Sequence, residues 1–160
     1  MVSVGDLRQD RRAMDTVSIP LSIWEISGRL ALATLFGAIV GIDREVQGKP
    51  AGLRTNSLVA LGGALFTIIG LLLSEGDATA TSRILQGITA GLGFIGGGVI
   101  MRRPEIQDVQ GLTTAAALWL VSAVGVAAGA GLWRTSLVAI GISLLVLVLG
   151  DRVDRWLQRS

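Results

Sequence analysis

The 160-residue sequence predicts an all-α membrane protein with five transmembrane helices. Three observations carry that expectation. Hydrophobic residues make up 51% and charged residues only 16%, where soluble domains carry about 25% charged residues. The charges are also clustered: none falls in Leu30–Ile42, Thr55–Ser74, Ile84–Met101, Val109–Trp133 or Thr135–Gly150. Finally, these runs are continuously apolar and do not alternate as barrel strands do. In lipid, backbone polar groups must be satisfied inside the segment, so the runs read as helices.

Residues 1–22 form a polar tail of mixed charge, with Arg8, Arg11 and Arg12 among Asp6, Asp10 and Asp15. No cleavable signal peptide is evident, and Met14 is an alternative start. The transmembrane domain covers residues 23–150. Its spans are expected at Trp24–Ile42, Thr55–Leu73, Ile84–Met101, Leu112–Leu132 and Thr135–Leu149. The fifth is short for a bilayer at about 1.5 Å per residue, so Arg152 and Arg155 are expected to snorkel at its end. Residues 151–160 read as a short amphipathic tail, with Val153, Trp156 and Leu157 on one face.

Five spans place the two termini on opposite sides. The 43–54 loop, the 102–108 loop and the C-terminal tail hold eight basic residues, and the opposite side holds five. The positive-inside rule makes the first side cytoplasmic, with the N-terminus outside. A weak internal repeat is also present. Arg29 and Arg83 each open a span with a glycine eight residues on, Gly37 and Gly91. The openings Gly52-Leu53-Arg54-Thr55 and Gly111-Leu112-Thr113-Thr114 also match. Spans one–two and three–four would then be tandem hairpins.

Composition excludes several functions. The chain has no His and no Cys, which removes thiolate and imidazole metal sites, a Ser-His-Asp arrangement and disulfides. Oxygen-only coordination of Mg²⁺ or Ca²⁺ stays open. With a net charge of +2 and no dense basic patch, nucleic acid is not an expected partner. No cofactor is implied. No nucleophile–base pair is visible, so the chain is not expected to be an enzyme.

Two constellations remain. The first is glycine. Gly37-xxx-Gly41, Gly87-xxx-Gly91, Gly93-xxx-Gly97 and Gly125-xxx-Gly129 fit small-xxx-small packing. They serve either contacts within the chain or an oligomer, with Gly37, Gly41, Gly87 and Gly91 as the candidate dimer face. A sharper reading has Gly96-Gly97-Gly98 breaking span three near mid-depth, as at transporter sites. The second constellation is the polar turn between spans one and two. Asp43, Arg44 and Glu45 end one span, Pro50 stops the helix, and Arg54, Thr55 and Asn56 open the next. These side chains either snorkel separately or form one cluster in which Asp43 or Glu45 pairs with Arg54, joined by Thr113 or Thr114. Near the other interface, Glu25 and Arg29 stand four apart, a spacing that favours a self-neutralised pair.

Three ordered motifs resemble the MgtC/SapB family. The first is Gly37-Ala38-Ile39-Val40-Gly41-Ile42-Asp43-Arg44-Glu45 followed by Lys49-Pro50-Ala51-Gly52-Leu53-Arg54-Thr55-Asn56. The others are Gly91-Leu92-Gly93-Phe94-Ile95-Gly96-Gly97-Gly98 and Gly111-Leu112-Thr113-Thr114-Ala115-Ala116. The resemblance implies a five-span protein of the bacterial inner membrane. Some members add a cytoplasmic C-terminal domain, for which this chain has no residues after Ser160. It further implies links to growth at low Mg²⁺, to virulence and to restraint of the F-type ATP synthase. The resulting expectation is a regulator that acts by binding. Its expected partners are membrane lipid, a second copy of itself and another inner-membrane complex such as that synthase. The alternative is a homo-oligomeric transporter or channel for a small solute or ion.

Overall fold

The computed structural model describes residues 21–74, 77–103 and 108–157; the 1–20 part of the N-terminal tail lies outside them. Among the described residues five helices follow one another: α1 (Ile23–Val46), α2 (Leu53–Leu73), α3 (Ala78–Val99), α4 (Leu112–Gly129) and α5 (Trp133–Leu157). The five-helix expectation therefore holds. Between α3 and α4, two three-residue strands, β1 (Met101–Arg103) and β2 (Asp108–Gln110), pair antiparallel. The apolar pattern gave no sign of that hairpin.

Among the described residues four helices are long and apolar enough to cross a membrane: α1, α2, α4 and α5. The exception is α3, expected to span from Ile84 but extending back to Ala78. Its 22 residues are diluted by Thr, Ser and Gly, and only Leu92 is buried. No break occurs at Gly96–Gly98. These residues lie in the last turns of α3, where Gly96 still accepts the N–H of Ile100. The mid-depth break is therefore corrected: the glycines end the helix and do not interrupt it. At the other end of the chain, α5 continues through Gly150 without a break, so the tail prolongs the fifth span.

Each turn has a local cause. Ser22 Oγ accepts the Glu25 N–H, and Asp77 caps α3 through the Thr79 N–H. The α1–α2 turn needs left-handed backbone at Gly48 (φ 65°) and Ala51 (φ 60°), and the latter is strained because alanine carries a Cβ. At Gly111 (φ 94°), the N-cap of α4, an added Cβ would collide with the Val99 carbonyl. Gly52 and Gly111 both cap their helices without a side chain, so the two matched openings occupy equivalent places in the two hairpins.

The core is a three-helix unit of α1, α2 and α4, held at backbone contact by small residues. A Cβ on Gly37 would meet Asn56 O at 2.5 Å, and one on Gly63 would meet Ser122 O at 2.7 Å. One on Gly129 would meet Ala64 O at 2.6 Å. Ala33, Ala64 and Ala128 form one buried cluster, and Val40, Ala60 and Val121 another. The fifth helix adds Ile140 against Phe36 and Val124. Without a hydrophobic drive between helices in lipid, this close approach of backbones is the main source of cohesion.

Arg29 ties the unit together at one end. It pairs with Glu25 Oε1 and donates from Nη1 to Gly129 O at 2.8 Å, satisfying a carbonyl of the last turn of α4. At the other end Lys49 Nζ lies 3.8 Å from Asp151 Oδ1. Together with the close approach of Gly111 to Val99 and the bond between Arg44 and Thr114, this places the α1–α2 turn, the β-hairpin and the end of α5 on one side of the bundle.

Candidate functional site

The polar turn is the densest cluster of buried polar groups, but it is built differently from the expected ion-pair network. Along α1, Gly37, Gly41 and Arg44 recur at the four- and three-residue steps of one helical face. That face lies against α2 and α4, so Arg44 is carried inward and is 1% exposed. Its Nη2 donates to Thr114 Oγ1 at 3.1 Å, and Thr114 is itself buried.

Asn56 is the second buried member, also 1% exposed. Its Nδ2 donates to the carbonyls of Ala51 and Gly52, which pins the strained turn to the first turn of α2. Glu45 crosses the turn: its Oε2 accepts the Leu53 N–H at 2.8 Å, so it caps α2 where Gly52 offers no side chain. A carboxylate is well placed at a helix N-terminus. Asp43 Oδ1 accepts from Gln47 Nε2 at 3.0 Å on its own helix.

Arg54, Thr55 and Thr113 are exposed. No ion pair joins Arg54 to Asp43 or Glu45 within 4.0 Å among the described residues of the chain. The Arg54-centred pair is therefore withdrawn, and the inward arginine is Arg44. The reason is angular. On α2 the buried face runs through Asn56, Ala60, Gly63 and Thr67. Position 54 is two residues from Asn56, about 200° away around the helix, so its side chain points outward. Of the two threonines, Thr114 joins the cluster and Thr113 does not.

Four buried polar atoms lack a partner among the described residues: Asp43 Oδ2, Arg44 Nε, Gln47 Oε1 and Asn56 Oδ1. No group of three or more acidic side chains suited to a metal ion occurs among the described residues.

The glycine motifs separate into two classes. Gly37, Gly41, Gly125 and Gly129 all touch the backbone of a neighbouring helix of the same chain. The expectation that Gly37 and Gly41 form a dimer face is corrected on that ground, because their surface is already filled by α2. The helix α3 behaves oppositely. Gly87, Gly91, Gly93 and Gly97 have nothing within 4 Å of a built Cβ, and Phe94 is 87% exposed.

An apolar cleft of about 750 Å³ separates α2 from α3. Leu58, Gly62 and Phe66 line one wall, Gly87, Gly91 and Ile95 the other, and Arg54 and Thr55 lie at one end. The cleft thus lies between the second and third helices. No pattern in the sequence announced it, since it arises where glycines on two helices face each other without closing.

Known proteins set this architecture in context. The MgtC family profile matches residues 30–156. Protein SrpB of Synechococcus elongatus is 41% identical over 161 residues, covering 92% of this chain and 88% of its own. Protein MgtC of Brucella abortus is 46% identical over 110 residues, and Protein MgtC of Salmonella typhimurium is 42% identical over 120. These matches cover 69% and 75% of this chain but only 44% and 50% of the two MgtC proteins, so the chain spans about half their length. No solved structure matches the chain. The family match covers α2 to α4, most of α1 and nearly all of α5, including both the buried Arg44 and the open glycines of α3; the chain is a multi-pass membrane protein of the MgtC family.

Proposed function

We propose that the protein is a regulator of the bacterial inner membrane that acts by binding another integral membrane protein. The observation that carries this reading is the open outer face of α3. Helical spacing puts Ala90, Gly93 and Gly97 on one strip, all exposed, beside Phe94 at 87% exposure. Small residues beside an exposed aromatic allow a foreign helix to approach closely and anchor. The C-terminus is then cytoplasmic by the basic-residue asymmetry. The family resemblance suggests conditions of Mg²⁺ limitation and a partner such as the F-type ATP synthase. A second copy of the chain competes for the same face. The transporter alternative requires a wet path, and the apolar lining of the cleft weighs against it.

Complementation of a deletion strain under limiting Mg²⁺ tests the reading. Gly93→Leu combined with Gly97→Leu adds side chains where nothing lies within 4 Å, so the variant should insert and fold normally. It should nevertheless fail to restore growth. Full complementation by this variant would refute the proposal.

A further inference from the structure

The cleft between α2 and α3 is a different surface from the outer strip, and it has its own chemistry. We propose that it holds one phospholipid of the leaflet on the Arg54 side. The acyl chain lies along Leu58, Gly62 and Phe66, and the anionic phosphate pairs with the Arg54 guanidinium.

Three features support that occupant. The first is length. From Arg54 to Phe66 the cleft follows twelve residues of α2, about 18 Å at 1.5 Å per residue. One leaflet of hydrocarbon is about 15 Å thick, half of the bilayer core. The cleft therefore starts at one interface and ends near mid-depth, as a single acyl chain does.

The second is charge. Arg54 is exposed, and no acidic partner lies within 4.0 Å of it among the described residues. It stands in the first turn of α2, level with the polar turn, while the walls below are apolar except for Ser122. One cation above an apolar slot complements an anionic amphiphile, and basic pockets between helices bind such headgroups. The helix terminus adds little here, because the Glu45 carboxylate already takes the Leu53 N–H. That carboxylate also opposes an anion, so the site rests on the guanidinium.

The third is size. A slot of about 750 Å³ accommodates an acyl chain along its length. This inference does not depend on the regulatory reading.

Native mass spectrometry of the detergent-purified full chain, titrated with phosphatidylglycerol or phosphatidylcholine, tests it. The wild type should retain phosphatidylglycerol in preference, with one tight adduct. Arg54→Gln should lower that preference about fivefold, the worth of one basic residue near a membrane surface. Gly62→Leu, which fills the slot, should reduce retention of both lipids. Arg134→Gln, an exposed cation beside Trp133, should change neither and serves as the control. Equal retention of the two lipids by the wild type would overturn the proposal. So would unchanged retention in Gly62→Leu, which would mean non-specific annular lipid. Displacement of the adduct by free glycerol phosphate alone would also overturn it, since the chain in the slot would then contribute nothing.

Discussion

Replacing Gly37 by alanine tests whether backbone contact between α1 and α2 is what holds the three-helix unit. A Cβ there would lie 2.5 Å from Asn56 O, 2.8 Å from Ala60 Cβ and 2.9 Å from Asn56 C. Real Cβ atoms essentially never approach closer than 3.0 Å, so α1 must retreat by at least about 0.5 Å. Two of the three obstructing atoms are backbone and cannot rotate away. Overpacking of this kind costs about 1–3 kcal/mol. Alanine also gains up to about 1 kcal/mol in helix propensity over glycine, which partly masks the loss. Gly91→Ala removes that ambiguity, because its Cβ meets nothing within 4 Å. The difference between the two variants isolates packing and should be about 1–3 kcal/mol in favour of Gly91→Ala. Reversible unfolding by sodium dodecyl sulfate in mixed micelles, followed by circular dichroism, measures it. Equal stability of the two variants would refute close packing at Gly37.

Two further predictions concern the polar end. Cysteines placed singly at Lys49, Gln110 and Arg152 should all react with an impermeant thiol reagent from the cytoplasmic side, and labelling of any one from outside would contradict the topology. Thr114→Val should cost about 1.5–3 kcal/mol, because it removes the hydrogen bond to a buried cation. Arg44→Met should cost less, because it removes that cation and its unpartnered Nε together. The same unfolding assay ranks the two, and the reverse order would mean that Arg44 has another partner in the membrane.

Much of this architecture was legible because lipid imposes strict rules. Charge-free runs located α1, α2, α4 and α5, and Pro50 with Gly48 located the first turn. The Glu25–Arg29 pair followed from spacing alone. Its second bond, to Gly129 O, did not, because it joins residues 100 positions apart. The site was half legible. The sequence marks the turn as polar and holds both arginines among its candidates, but it points to Arg54 as the partner of the carboxylates, where the buried arginine is Arg44. The deciding signal was present: Arg44 continues the face marked by Gly37 and Gly41, and Arg54 stands off the face marked by Asn56 and Ala60. The β-hairpin and the cleft left no comparable trace. Both depend on how α3 is set against α2 and α4, which no local pattern encodes.

The contrast between closed and open helix faces bears on how the molecule can respond. The helices α1, α2 and α4 meet through backbone atoms, so their arrangement is stiff. By contrast, α3 packs on α2 and α4 with Leu92 as its one buried residue; its contacts include Ile84 against Gly70, Gly96 near Ala115 and the hydrogen bond from Thr81 to Ser74. With a single buried residue, α3 rests on shallower packing than the backbone-to-backbone contacts of α1, α2 and α4. Both unfilled surfaces belong to it: the cleft on one side and the glycine strip on the other. A lipid in the cleft fixes the distance between α3 and α2, and a partner on the strip presses α3 from outside. Each can shift α3 only as far as its contacts differ between two positions of that helix. If both sites are occupied, the coupling is reciprocal by linkage: whatever lipid does to partner affinity, the partner does to lipid affinity by the same factor.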